Sequence, residues 1–390
     1  MYKNIVLKSI LIISLFFMVG CSKLSKIQKE STATSSSVDE LTLASSPVVI
    51  PKEHGILAKP NKPIYQIYYG TNRKPIDAND HSKGYSSERA EQLYTGTCKI
   101  FIPKSHKVGE IKGSLLGKIL HFDSKYGDVR LQEIKNYKNK DELWSRLREL
   151  FSTIDEKEAL IFIHGYNNSF EDAAIRAGQI GYDLGLKGVM AFYSWPSEDN
   201  PMKYSSDEAS IQASEKYIKE FIRGFAQKSG AKKVHIIAHS MGNRGLLRAI
   251  NDIQKETPNV RFGQIILAAP DVDADLFKHI SKAYTKISDR TTLYVSPKDK
   301  AVWMSRIKHN HPRAGVVYPV SVIKDIDTIL VNFDFSLFAL GHSYFAEEDR
   351  ILKDIKRLLR KNSSPSSRPK MEKMSVKNEN QGSYWTLDLD

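Results

Sequence analysis

The chain has 390 residues, of which 41% are hydrophobic and 26% are charged, so it can bury a sizeable core in one or two domains. Its formal net charge is +13, a balance that is compatible with an anionic membrane surface. The sequence contains no zinc knuckle, no basic helix and no aromatic–basic RNA-binding signature, so no nucleic-acid partner is expected.

The amino terminus has the pattern of a bacterial lipoprotein signal. Lys3 and Lys8 precede an apolar stretch over residues 10–19, which is too short for an ordinary membrane-spanning helix. The stretch ends in Met-Val-Gly-Cys at Cys21, which resembles a lipobox and implies cleavage before Cys21 and acylation of that cysteine. Ser22 would then not retain the protein in the inner membrane. We expect a lipid-anchored envelope protein, on the periplasmic face of the outer membrane if the cell has one; an ordinary secretory signal or signal anchor is the alternative.

Composition divides the rest of the chain. A signal peptide over residues 1–20 is followed by a flexible, serine-rich linker over 21–60, which cannot build a core. A folded domain is predicted over 61–361. Residues 362–390 are rich in Ser, Pro and Lys, which predicts a flexible carboxyl-terminal tail, although Tyr384 and Trp385 are unexplained apolar residues there.

In chain order, the folded part begins with a strand over 64–69 that is turned by residues 70–73, a strand over 98–103 and a helix over 141–154. Strands and helices then alternate. The predicted strands cover 159–163, 188–193, 234–237, 263–268, 291–295 and 326–331, and the predicted helices cover 169–184, 207–228, 243–250, 274–284 and 347–359. This alternation predicts an α/β fold with a mostly parallel central sheet, helices on both faces and extra amino-terminal strands.

The segment Ala238-His-Ser240-Met-Gly242 lies between a predicted buried strand and a predicted helix. Small residues two positions before and after a serine, at such a turn, are typical of a nucleophile elbow, which projects the serine above the sheet. Ala238 replaces the usual first glycine. Ser240 is therefore the candidate nucleophile.

An acyl-transfer site also needs an acid and a base, which should follow Ser240 in the chain. Asp299, just after the predicted strand 291–295, is the favoured acid, although a helix cap is an equally ordinary use for it. Asp271 and Asp273 are the rivals, and Asp327 is a more distant candidate.

His342 is the candidate base, because it follows the strand over 326–331 on a loop that begins with a glycine. His239 adjoins the nucleophile, but the elbow directs it away, so we expect it to pack structurally. His309 and His311 have metal-like spacing without a supporting carboxylate or cysteine pattern, so no metal and no cofactor are expected.

Two backbone amides should stabilise an oxyanion. One follows the nucleophile, at Met241. The other should lie after the strand over 159–163, where Gly165 lets the backbone approach a substrate; Tyr166 is the first choice and Asn167 the second. A simple tight turn with a buried His164 is the alternative.

Taken together, these segments resemble an uncharacterised bacterial branch of the α/β hydrolases, over residues 63–360. The matching segments are Phe162–Asn167, Phe192–Ser197, Ala238–Asn243, Leu267–Asp273 and Gly341–Phe345, with Tyr69–Arg73 similar to the branch's amino-terminal signature. The resemblance implies an α/β-hydrolase fold and a triad of Ser240, Asp299 and His342, but no particular substrate. We expect a serine hydrolase that acts on a small acyl ester. A peptidase, amidase or acyltransferase with the same triad, or a non-catalytic envelope-binding lipoprotein, are the alternatives.

Overall fold

A computed structural model describes residues 64–104, 106, 129–317, 320–332, 345–376 and 382–388. The predicted signal peptide and linker fall outside these residues, as does the candidate base His342. Within the described ranges, no helix has the length and apolar composition needed to cross a bilayer.

One sheet connects the strands of the described residues. They are β1 (Ile64–Pro75), β2 (Tyr85–Phe101), β3 (Arg130–Asn136), β4 (Glu158–Ile163), β5 (Val189–Ser194), β6 (Lys233–His239), β7 (Phe262–Ala268), β8 (Ser288–Val295), β9 (Asp327–Val331), β10 (Met371–Ser375) and β11 (Ser383–Leu387). Their spatial order is β10-β11-β9-β8-β7-β6-β4-β5-β1-β2-β3. Neighbours are parallel from β11 to β1, while β10, β2 and β3 each join the sheet through an antiparallel pairing. The predicted α/β fold with a mostly parallel sheet is confirmed.

Helices cover both faces of this sheet. They are α1 (Lys140–Thr153), α2 (Phe170–Asp183), α3 (Tyr204–Lys228), α4 (Gly242–Glu256), α5 (Ala274–Ile280), α6 (Lys282–Ile287), α7 (Lys300–His309) and α8 (Phe345–Lys361). Apolar residues of α1, α3, α4 and α6 pack in one core, and those of α2 and α8 pack in a second core on the other face. Strand β4 shows why both cores form, because Ile161 belongs to the first and its neighbour Phe162 to the second.

The amino-terminal strand is longer than predicted. We predicted a turn at residues 70–73, but β1 continues to Pro75 and pairs with β2 along this length. Gly70 serves close packing instead, because a Cβ atom there would lie 2.5 Å from the ring of Phe221 on α3. The glycine therefore lets a helix approach the strand and does not turn the chain.

The carboxyl-terminal segment is also different from the flexible tail predicted over 362–390. Within it, β10 and β11 form a hairpin, and β11 pairs in parallel with β9. Trp385 pairs with Ile329 and packs against the second core, and Leu387 is buried there. Covering the edge of β9 satisfies its backbone hydrogen bonds, which explains the apolar residues that the composition of the tail had left without an account.

Candidate active site

The turn between β6 and α4 has the geometry of a nucleophile elbow. Ser240 has a φ of +47°, a left-handed conformation that is uncommon for a residue other than glycine. The small neighbours are needed sterically: Ala238 is fully buried, and a Cβ atom on Gly242 would lie 2.4 Å from the carbonyl oxygen of His164. The strand-to-helix turn predicted at Ser240 is therefore present in the backbone, and its positive φ is a finding of the structure.

Hydrogen bonds hold this turn in place. The Asn243 side-chain amide donates to the carbonyl oxygens of Ala238 and Ser240, each at 3.1 Å. The Ser240 N–H donates to the Ala268 carbonyl at 3.0 Å, and the Asp271 N–H donates to the Ser240 carbonyl at 3.1 Å. The end of β7 and one side chain from α4 thus stabilise a conformation that a serine would otherwise rarely adopt.

The loop after β4 lies against the elbow. A Cβ atom on Gly165 would be 3.0 Å from the Ser240 Cβ and 2.8 Å from the His239 Nδ1, so only glycine fits. Among the backbone hydrogen bonds of turns, loops and caps in the described residues, none is donated by the N–H group of Tyr166 or of Met241. The N–H of Asn167, the second choice as an oxyanion donor, is used by the Asp207 carboxylate at 3.1 Å.

Asp207 ties this loop to the segment after β5. Besides Asn167, its carboxylate accepts the Ser197 hydroxyl at 2.5 Å and the Glu198 N–H at 2.8 Å. Burial raises the Asp207 pKa above its usual value, although these hydrogen bonds and the charge of Arg73 oppose the shift. Asn167 itself has a φ of +58°, which asparagine tolerates better than most residues.

Arg73 at the end of β1 connects three segments of the site. Its guanidinium is 1% exposed and donates to the Ser194 hydroxyl at 2.8 Å. It also donates to the carbonyl oxygens of Asn168 at 2.7 Å, Ser197 at 3.0 Å and Ser86 at 3.2 Å. Burial lowers the pKa of Arg73 to about 10, so the side chain remains charged at neutral pH. In the sequence, Arg73 belongs only to a signature segment, and no local pattern indicated this positioning role.

His164, at the start of the loop after β4, is also buried. Its ring stacks on Trp195, with centroids 4.9 Å apart and planes 8° from parallel, and its carbonyl accepts the Trp195 indole N–H at 2.8 Å. The ring nitrogens contact the Gly165 carbonyl at 2.7 Å and the Ser194 hydroxyl at 3.3 Å. Burial and the charge of Arg73 lower the pKa of His164 to about 3, so this imidazole is neutral.

The two leading acid candidates have different surroundings. Asp299 is 2% exposed and follows β8, and its Oδ1 accepts the Val302 N–H at 2.8 Å as the amino-terminal cap of α7. The helix-cap alternative is therefore one function of this carboxylate. Because β8 is the second neighbour of β6 in a parallel sheet, Asp299 and Ser240 follow strand ends at the same edge.

The carboxylate of Asp271 accepts three hydrogen bonds and forms an ion pair with a second guanidinium. It accepts a short hydrogen bond from the Tyr204 hydroxyl and one of 2.5 Å from Ser305. Arg244 Nη2 lies 3.2 Å from one oxygen, and Arg313 Nε lies 3.5 Å from the other. Both oxygens of the Asp271 carboxylate are therefore engaged in structural contacts.

The remaining candidates are used elsewhere. Asp273 caps α5 through the N–H groups of Asp275 and Leu276. Asp327 lies at the start of β9, the edge opposite to Ser240, where it pairs with Arg290 at 2.7 Å. His309 contacts the Ser305 carbonyl and, at 2.6 Å, the Glu208 carboxylate. No group of three His, Cys, Asp or Glu residues in the described ranges is placed to hold a metal ion.

Comparison with known families agrees with this geometry. A family model described as an alpha/beta hydrolase of unknown function (DUF900) matches residues 139–361, which include the elbow, the loop after β4 and both acid candidates. The chain belongs to this family. Its fold is that of an α/β hydrolase, and His342 falls within the matched range. Among curated proteins, no relative matches the sequence.

Two solved structures are similar at low identity. One, described as a cell surface hydrolase from Lactobacillus plantarum WCFS1, is 13% identical, with 54% of this chain and 94% of that chain covered and a TM-score of 0.34. The other, described as a lipase from Sulfolobus solfataricus, is 12% identical, with 57% and 49% covered and a TM-score of 0.27. Likeness at this level carries no argument about the substrate.

Proposed function

We propose that this α/β hydrolase is a serine hydrolase that cleaves an ester through an acyl-enzyme on Ser240. The observation that carries the proposal is the left-handed Ser240 at the elbow, with Gly165 packed against it. In this mechanism, His342 takes the Ser240 proton as the hydroxyl oxygen attacks the acyl carbon, and returns it to the leaving group. The Tyr166 and Met241 amides stabilise the oxyanion, and water later releases the acid.

Asp299 is the acid of the proposed triad, in preference to Asp271. Its position after β8 supports this role, because loops at the carboxyl ends of the strands in a parallel sheet carry the functional side chains of such folds. The three hydrogen-bond donors around Asp271, together with the nearby Arg313 guanidinium, argue against using that carboxylate to orient an imidazole. The proposed mechanism uses no cofactor.

Labelling with a fluorophosphonate probe tests the nucleophile. Ser240→Ala should abolish labelling and lower ester turnover by about 10⁴- to 10⁶-fold, with an unchanged melting temperature. Ser152→Ala, at an exposed position on α1, is the matched control and should be labelled normally. Unchanged turnover in Ser240→Ala would contradict the proposal.

Matched substrates test the bond that is cleaved. A series of 4-nitrophenyl esters and 4-nitroanilides with the same acyl groups should show much faster turnover of the esters. Faster turnover of the anilides would favour a peptidase or amidase. No labelling of Ser240 together with no turnover of either series would favour the non-catalytic alternative.

The lipid anchor at Cys21 is also a proposal, based on the lipobox-like sequence. Cys21→Ala should prevent incorporation of labelled palmitate and should release the protein from the membrane fraction when the membranes are washed at high salt. A Cys98→Ala variant is the control, because Cys98 is buried in β2 and should not influence acylation. Palmitate incorporation that persists in Cys21→Ala would overturn the assignment.

A further inference from the structure

Helix α7 exposes three large apolar side chains on one side. Trp303 is 52% exposed, Met304 is 65% exposed and Ile307 is 58% exposed. Their spacing places them on one helical face. The opposite face is buried through Val302 and Ser305. An apolar helical face that includes a tryptophan is unusual for a side turned to water.

This face lies beside the candidate active site. Asp299 caps the first turn of α7, and a ten-residue helix is about 15 Å long, so the whole face is within that distance of the proposed acid. The first residues of α3 contact the same helix, because the hydroxyl oxygens of Tyr204 and Ser305 lie 2.8 Å apart and the Lys308 ammonium donates to the Ser205 hydroxyl at 2.7 Å. The turn that precedes α3 adds a further exposed apolar side chain, Met202.

The titratable side chains of α7 itself are all basic, although Lys308 pairs with Glu208 of α3 at 3.1 Å. No acidic residue occurs from Lys300 to Lys324 in the sequence. Lys298, Lys300 and Lys308 are exposed, and Arg306 is partly exposed. Tryptophan and other apolar side chains bordered by lysine and arginine are typical of helices that lie in the interface of an anionic bilayer.

We propose that the outward face of α7 binds the surface of an anionic lipid bilayer, with Trp303, Met304 and Ile307 inserted among the lipids. A second copy of the chain fits less well, because like charges would meet and these side chains supply far less than the ~800 Å² per partner of a stable interface. The contact is separate from the proposed anchor at Cys21. Together with the proposed function, it would hold the active site at a membrane surface that contains acyl esters.

The fluorescence of Trp303 tests the contact directly. The full chain carrying Cys21→Ala is mixed with vesicles of phosphatidylcholine that contain phosphatidylglycerol, with bromine on the acyl chains as a quencher. Subtracting the spectrum of the additional Trp303→Phe variant isolates the signal of Trp303 from the other three tryptophans. We expect this signal to shift to the blue and to be quenched, with weaker effects in phosphatidylcholine alone or at high salt. An unchanged Trp303 signal would overturn the proposal.

Variants sharpen the result without using catalysis. The combined changes Trp303→Ser, Met304→Ser and Ile307→Ser should lower α7-dependent vesicle binding about tenfold or more. This binding is measured as the salt-sensitive part of the protein that sediments with the vesicles. Ile76→Ser removes another exposed apolar side chain, 63% exposed after β1, and should have no effect. Equal losses in both variants, or a Trp303 shift that depends on protein concentration without lipid, would contradict a bilayer contact. Because none of these readouts needs turnover, they are independent of the role proposed for Ser240.

Discussion

The candidate active site has two sides, an oxyanion side around the proposed donors Tyr166 and Met241 and an acid side around Asp299 and Asp271. An arginine organises each side, but by different means. On the oxyanion side, Arg73 is fully buried and donates to three backbone carbonyls and a hydroxyl, with no ion pair among the described residues. On the acid side, the Arg244 side chain is 20% exposed and pairs with the carboxylates of Asp271 and Glu208. The first arrangement fixes backbone positions, whereas the second mainly balances charges, with one further hydrogen bond from Arg244 Nε to the Asp271 backbone carbonyl at 2.6 Å. We therefore expect the two sides to respond differently to substitution, salt and pH.

The largest effect should separate the two acids on the second side. Asp299→Asn is expected to lower ester turnover by about 10⁴-fold while the protein stays folded, because the imidazole loses its orienting charge. Asp271→Asn should mainly lower the free energy of unfolding, since this carboxylate meets Arg244 and Ser305. Steady-state kinetics and urea denaturation of both variants are the measurements. A greater loss of turnover in Asp271→Asn would reverse the assignment.

Replacing the two arginines compares the sides directly. Arg73→Met should lower the free energy of unfolding by about 3–5 kcal/mol, because the carbonyl oxygens it serves would stay buried without donors. Arg244→Met is the matched change and should cost about 1–3 kcal/mol, since Asp271 keeps the Tyr204 and Ser305 hydroxyls as donors. Urea denaturation at two salt concentrations is the measurement. High salt should reduce only the second effect; the same salt dependence for both would contradict the distinction.

Acid should weaken the oxyanion side through His164. Its pKa is lowered to about 3 in the fold, against about 6.5 in an unfolded chain. Between these values only the unfolded state binds the proton, so this contribution to stability is complete above pH 6.5 and falls by about 1.4 kcal/mol per pH unit below it. Urea denaturation between pH 7 and 5 measures the slope, which His164→Asn should reduce. An identical slope in the variant would show that folding does not lower the pKa of His164.

The interior of the fold was predictable from short stretches of sequence. Strands such as β4 and β7 are continuous apolar runs because both of their faces are buried. The helix predicted from residue 169 begins there because Ser169 and Asp172 form a capping box at the start of α2. The outer elements were not predictable. Strand β11 depends on its pairing with β9, in which Trp385 lies opposite Ile329, 56 residues earlier in the chain. In α7, exposed apolar residues hide the sequence pattern of its buried face.

The same limit applies to the candidate site. The elbow at Ser240 is a local pattern, since strain and small neighbours occur within five residues. The role of Arg73 depends on acceptors that lie 13 to 124 residues away in the chain, so no local pattern could show it. The engagement of Asp271 by Tyr204, Ser305 and Arg313 is equally non-local, and this is why the sequence left two acids open.

The smallest expected effect concerns Glu208 on the acid side. Burial raises its pKa, but hydrogen bonds and charge from Arg244, with further bonds from Lys308 and His309, lower it to about 2. A lowered carboxylate pKa stabilises the fold when the pH is above the unfolded-state pKa of 4.5, and the contribution is lost as pH falls toward 2.

Because the pairs of Glu208 are partly exposed, Glu208→Gln should lower the free energy of unfolding by only about 1 kcal/mol at neutral pH and low salt. Urea denaturation should show this cost shrinking at high salt and at pH 3, whereas Glu88→Gln, in an exposed pair with Lys74, should cost almost nothing under any condition. A cost for Glu208→Gln that is large and insensitive to salt would mean that the acid side, like the oxyanion side, is held by buried hydrogen bonds and not by screened charge.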